Sequence, residues 1–249
     1  MSTTAQAGIE RLPRGPHRLS REQVENHQRE RILAGMIAAA GTKGYGSTTI
    51  GDITHRARVS RDTFYEQFAN KEACFLAAYD ATMRELLDQM VAAGTSQPSY
   101  VEGIRDGVRA YLKFWSERPD AARVCTLEVM AAGSEALAHR EQTLRSFARL
   151  YRNVAERARA QQPGLPSVPD VVAHAIVVGA VELTTQYIRE DRVSSLPELE
   201  SDVLYLWLMV LAGHDVAAAA VATINAGSPR RTFLALPEQA ATMDPLNGS

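Results

Sequence analysis

The run from Thr48 to Glu72 constrains this chain more than any other segment. Thr49 followed three residues later by Asp52 is a T-x-x-D capping box, and Ile50, Ile53 and Ala57 then recur at helical spacing. Arg58 and Val59 fill a short turn, and Ser60 caps a second helix. That helix buries Phe64 and Phe68 at i and i+4, while Arg61, Asp62, Thr63, Tyr65 and Gln67 occupy the opposite face, where an apolar core has no use for them. Asn70 supplies a third cap and Lys71 opens the next helix. Two short capped helices around a tight turn form a helix-turn-helix, a shape that a DNA major groove admits.

The segment over about 29–87 resembles the DNA-binding domain of the tetracycline-repressor (TetR/AcrR) family of bacterial transcription regulators. The likeness rests on the preceding helix, the Thr-Thr-Ile-x-Asp-Ile start, the Val-Ser-x-x-Thr-Phe-Tyr core and the Phe-x-x-Lys-Glu end. Arg58 departs from the pattern, since the family commonly places Gly in the turn. A left-handed conformation there would cost a non-Gly residue on the order of 1 kcal/mol. The resemblance implies that Arg61 and Thr63 point into the groove, with Gln67 one turn further on. Arg61 suits bidentate pairing with guanine and Gln67 suits adenine. Thr49, Ser60, Tyr65 and Lys71 are expected on the DNA backbone, Lys71 at a helix N-terminus that welcomes an anion. The resemblance further implies a homodimer on a palindromic operator, a small-molecule effector bound in the body, and repression by occlusion.

The net charge of −2 alone would argue against a nucleic-acid partner, but it hides an asymmetry. Residues 1–75 hold 11 Lys/Arg against 8 acids, and the remainder holds 16 against 21, so a basic front end sits on an acidic body. Cys74 and Cys125 lack metal-ligand spacing and read as buried free thiols of a reducing cytoplasm. The N-terminus has no secretory h-region. The longest apolar stretch, 203–224, is interrupted by His214 and Asp215, so a buried or interface helix is expected rather than a membrane span.

The pattern predicts an all-α chain: a flexible basic arm over 1–22 with Arg11, Arg14, Arg18 and Arg21, a three-helix reading domain over 23–70, a helical effector-binding and dimerisation domain over 71–225, and a flexible tail over 226–249. A long helix from Lys71 to near Ala93 joins the two domains, and further helices are expected near 99–116, 120–131, 135–161, 170–190 and 197–220. The last two, with small residues Ala173, Ala175, Gly179 and Ala180 beside Ile176, Val177, Val178 and Val181, and with Leu204, Tyr205, Trp207, Leu208 and Leu211, are the expected dimer helices. Tyr111, Trp115, Cys125, Glu128, Phe147, Tyr151, His174 and Glu182 are the candidate effector residues. Glu128 and Glu182 in particular sit within apolar stretches, where a carboxylate needs a partner, and would suit a cationic or hydrogen-bonding amphiphile. No metal or cofactor is expected. G-x-S-x-G, P-loop, dinucleotide and H-E-x-x-H patterns are missing, which disfavours an enzyme. A protein-interaction module that kept the helix-turn-helix shape would show an apolar or acidic face where Arg61, Thr63 and Gln67 stand.

Overall fold

The computed structural model describes residues 20–225, and all regular structure there is helical. The expected tail and all but the end of the expected arm lie outside the described residues. Helix α1 (Arg21–Lys43) begins two residues inside that arm, because Ser20 and Gln23 form a reciprocal capping box. Its stripe of Ile32, Met36, Ala39 and Ala40 is fully buried. Helices α2 (Ile50–Ala57) and α3 (Arg61–Gln67) follow, and then α4 (Lys71–Thr95), capped by the Asn70 side chain on the Ala73 amide.

The body adds α5 (Tyr100–Ser116), α6 (Pro119–Thr126), α7 (Ser134–Gln161), α8 (Asp170–Arg189), α9 (Glu200–Ala212) and α10 (His214–Asn225). Two expected helices divide. The stretch 120–131 becomes α6 and a 3-10 segment, Glu128–Ala131, that tightens the last turn. The stretch 197–220 breaks at Gly213, whose φ of 86° no helix accommodates, and its first residues belong to a second 3-10 segment, Val193–Leu199.

Helix α1 is the hub: it packs on α2 and also on α4 and α6 of the body. Gly41 lies so near α6 that a β-carbon there would stand 2.7 Å from the Asp120 Cβ. Helix α4 runs along α5, α7 along α8, and α9 against α10 and α5. Helix α8 is long and apolar enough, by length and composition, to cross a membrane, with a mean hydropathy of 1.4 over its best window. Here it packs against α7, α9 and the second 3-10 segment.

Candidate nucleic-acid interface

Helix α2 starts as its sequence demands. The Asp52 amide donates to the Thr49 hydroxyl at 3.2 Å, and the Thr49 amide and hydroxyl donate to Asp52 Oδ2 at 3.0 and 2.7 Å. Lys43 pairs with the other carboxylate oxygen, and these bonds, Lys43's first, hold the Asp52 carboxyl well below its ordinary range. The helix ends in a Schellman motif: the Val59 amide reaches the Thr54 carbonyl and the Arg58 amide the His55 carbonyl. Arg58 is left-handed, at φ 55° and ψ 47°. The departure from Gly therefore falls at a position where Gly is favoured. Arg31 of α1 donates to the Arg58 carbonyl.

Helix α3 is capped by Ser60, whose hydroxyl accepts from the Thr63 amide at 3.0 Å and lies 2.9 Å from the Thr63 hydroxyl. Phe64 and Phe68 are buried, as their spacing predicts, and fix which face turns outward. Arg29 of α1 stacks over the Phe68 ring at 4.4 Å and donates to the Gln67 carbonyl. The exposed residues are Arg61, Asp62, Tyr65 and Glu66, with Thr63 and Gln67 half-buried beside them. Among the described residues the Arg61 guanidinium makes no hydrogen bond or ion pair. Tyr65 is 55 % exposed, a large aromatic held edge-on against Phe64. Of the seven expected DNA-contacting residues, Thr49, Ser60, Arg61 and Tyr65 are exposed and Thr63 and Gln67 are half-buried. Lys71 is turned inward: its ammonium donates to the Tyr45 and Thr48 carbonyls at 2.9 and 3.0 Å and lies over the Tyr45 ring. Two of its three donors therefore fasten the α1–α2 loop.

The body holds a small cavity of about 20 Å³, lined by residues of α4, α5, α7, α8 and α9: Met90, Val108, Tyr111, Phe147, Val177 and Trp207 among them. Of the expected effector residues, Tyr111 and Phe147 line it. Trp115 stands edge-on to Tyr111, and Tyr151 packs on Trp207 and donates to the Trp207 carbonyl at 2.7 Å, so both form its second layer. The other four lie elsewhere. Cys125 is buried near Thr82, where burial pushes its thiol up to about 12. Glu128 reaches the α1–α2 loop. His174 lies half-buried on α8, and the exposed Glu182 pairs with Arg189 at 3.5 Å. The carboxylates have found partners away from the cavity, which removes the basis for a cationic amphiphile. Val177, Ala180, Val181 and Trp207, expected between subunits, face the cavity instead. Their neighbours Val171 and Val178 are exposed, so α8 is apolar on two faces, a pattern that a stripe of small and branched residues does not resolve by itself.

The model for bacterial regulatory proteins of the tetR family matches residues 32–78. The transcriptional regulator EthR of Mycolicibacterium smegmatis is 30% identical over 138 residues, which is 55% of this chain and 58% of that protein, so the likeness spans little over half of either. The fold is that of the fatty acid degradation regulator FadR from Bacillus halodurans (TM-score 0.67, 19% identity, 73% of this chain and 94% of that one). FadR from Bacillus subtilis, solved in complex with stearoyl-CoA, superposes with a TM-score of 0.65 at 17% identity, over 74% of this chain and 98% of its own. A helix-turn-helix carried on an all-helical body defines the class of protein. Over residues 32–78 the chain is similar to the tetR family of bacterial regulatory proteins, and its helical body shares the fold of the solved regulators.

Proposed function

We propose that this chain is a sequence-specific DNA-binding transcriptional regulator of the bacterial cytoplasm, which occupies a palindromic operator as a homodimer and represses until a small molecule binds its body. The observation that carries the reading is α3: seven residues, seated on Phe64 and Phe68, that present an uncommitted Arg61 beside Thr63, Tyr65 and Gln67. A free guanidinium on an exposed helix of this size is suited to a guanine edge, and the hydroxyls and phenol to phosphate and sugar. One reader with so few base contacts is weak, so two are needed. The outward face of α8, with Val171 74 % and Val178 37 % exposed, and Met209 on α9 supply an apolar surface for pairing.

The test is selection of genomic fragments by the purified chain, with an Arg61→Ala, Thr63→Ala variant alongside. Enrichment of one palindrome, lost in the variant, supports the reading. Enrichment indifferent to the variant, or no enrichment, counts against it and favours a protein-binding role for the same face. The cavity lining carries no charged side chain, so the effector's buried part is hydrocarbon and uncharged. The space holds little more than a water-sized group, and binding therefore moves Met90 or Trp207 aside. Linear alkanols of six to twelve carbons are the first probes, with stearoyl-CoA as a long-chain comparison.

A further inference from the structure

Glu128 was expected near the effector and lies instead against the reading unit, 83 positions away in sequence from its partner. Its Oε2 accepts the Tyr45 backbone N–H at 2.7 Å, and its side chain is 15 % exposed, with Arg123 3.8 Å from the other oxygen. The loop it grips, 44–49, sets where α2 begins. Gly44 has φ 79°, and a β-carbon on it would stand 3.2 Å from that same carboxylate oxygen. The Thr48 hydroxyl donates back to the Gly44 carbonyl at 2.8 Å, and Thr49 is the α2 cap. Lys71 takes the Tyr45 carbonyl from the other side, and the Tyr45 ring rests edge-on against Phe75 of α4, with centroids 4.7 Å apart. One peptide unit thus has its N–H held by an anion of the body and the next carbonyl held by a cation of the connecting helix. Charge-assisted bonds of this kind are shorter and stronger than neutral ones.

We infer that Glu128 is a positioning residue for DNA reading: its carboxylate clasps the Tyr45 amide and fixes the angle at which α2 and α3 leave the body. The inference rests on the DNA-reading role proposed above. Helix α4 is a covalent strut to the reading unit, and α1 packs on α6 as well as on α4. The 3-10 segment carrying Glu128 adds a directional hold on the loop beyond the end of α1, where α2 begins. Helix α6, which leads into that segment, packs on α1 on one side and on α5 and α8, both lining the cavity, on the other.

The experiment uses the full chain with Glu128→Ala and Glu128→Gln. Hydrogen exchange is followed across residues 44–58 and, as the internal control, across 100–190. Binding is measured to the selected operator and to versions with its centre lengthened or shortened by one base pair. In Glu128→Ala the exchange at 44–58 rises roughly tenfold, the yield of losing one charge-assisted bond of about 1.4 kcal/mol, and the control stays unchanged. Binding to the native spacing weakens by a similar factor, while the altered spacings lose less, so discrimination between spacings shrinks. Glu128→Gln, whose amide oxygen still accepts the N–H, keeps the discrimination. Unchanged exchange at 44–58, or a rise across the whole chain with spacing discrimination intact, overturns the clasp. If the wild-type chain selects no operator, the DNA reading fails while the exchange comparison still decides whether the clasp exists.

Discussion

Arg58 shows how one residue can follow the local grammar of a turn and still strain it. Its amide and its neighbour's complete the Schellman motif, and its carbonyl takes Arg31, so nothing that holds it depends on its own side chain. Arg58→Gly is therefore expected to keep every bond and relieve the left-handed strain. Equilibrium urea unfolding should show a gain of roughly 0.5–1 kcal/mol, and a loss would mean that the freedom Gly gives the unfolded chain outweighs it. The caps at Thr49, Ser60 and Asn70 and the inward Phe64 and Phe68 were legible in the sequence because each answers to a partner three or four residues away. Lys71 and Glu128 were not, since their partners lie 23 to 26 and 83 positions off and only the tertiary fold brings them together.

Among the elements, α8 does two things at once. One face closes the cavity with Val177 and Ala180, and the other presents Val171 and Val178 to solvent. Two substitutions separate the faces. Val178→Arg should dissociate the proposed dimer, with sedimentation showing a single folded subunit and the circular dichroism unchanged. A dimer that survives would place the interface elsewhere. Ala180→Leu should fill the cavity and abolish the rise in melting temperature that the alkanol probes give the parent chain, at an overpacking cost of about 1–3 kcal/mol. A response that persists would mean that the probes bind outside it. Periodicity identified α8 as a helix but could not divide its apolar surface, because branched and small residues occupy both sides. The break at Gly213 escaped for a related reason: a lone Gly within an apolar run does not announce whether it is helical or at φ 86°.

At the scale of the molecule, its acid–base behaviour follows from burial. Cys74 and Cys125 are both buried free thiols pushed up to about 12 from an ordinary 9.0, and burial also raises Tyr79 and Tyr151. Above pH 9 the unfolded chain sheds these protons and the folded one does not, so stability present below that pH falls as pH rises through the alkaline range. Urea titrations from pH 8 to 11 should show this decline, and a thiol reagent should find neither cysteine until the chain unfolds. A flat profile would mean that the thiols titrate freely in the folded chain. The same continuity of packing bears on modularity. Gly41 sits on Asp120 with no room for a β-carbon, and the Tyr45 ring is closed off by Phe75, so residues of α4 and α6 complete the inner wall of α1. A chimera that moved residues 20–70 onto a foreign scaffold would carry that wall bare and would be expected to clump or melt. The piece that could be exchanged intact between proteins of this fold is larger than the piece recognisable as a helix-turn-helix.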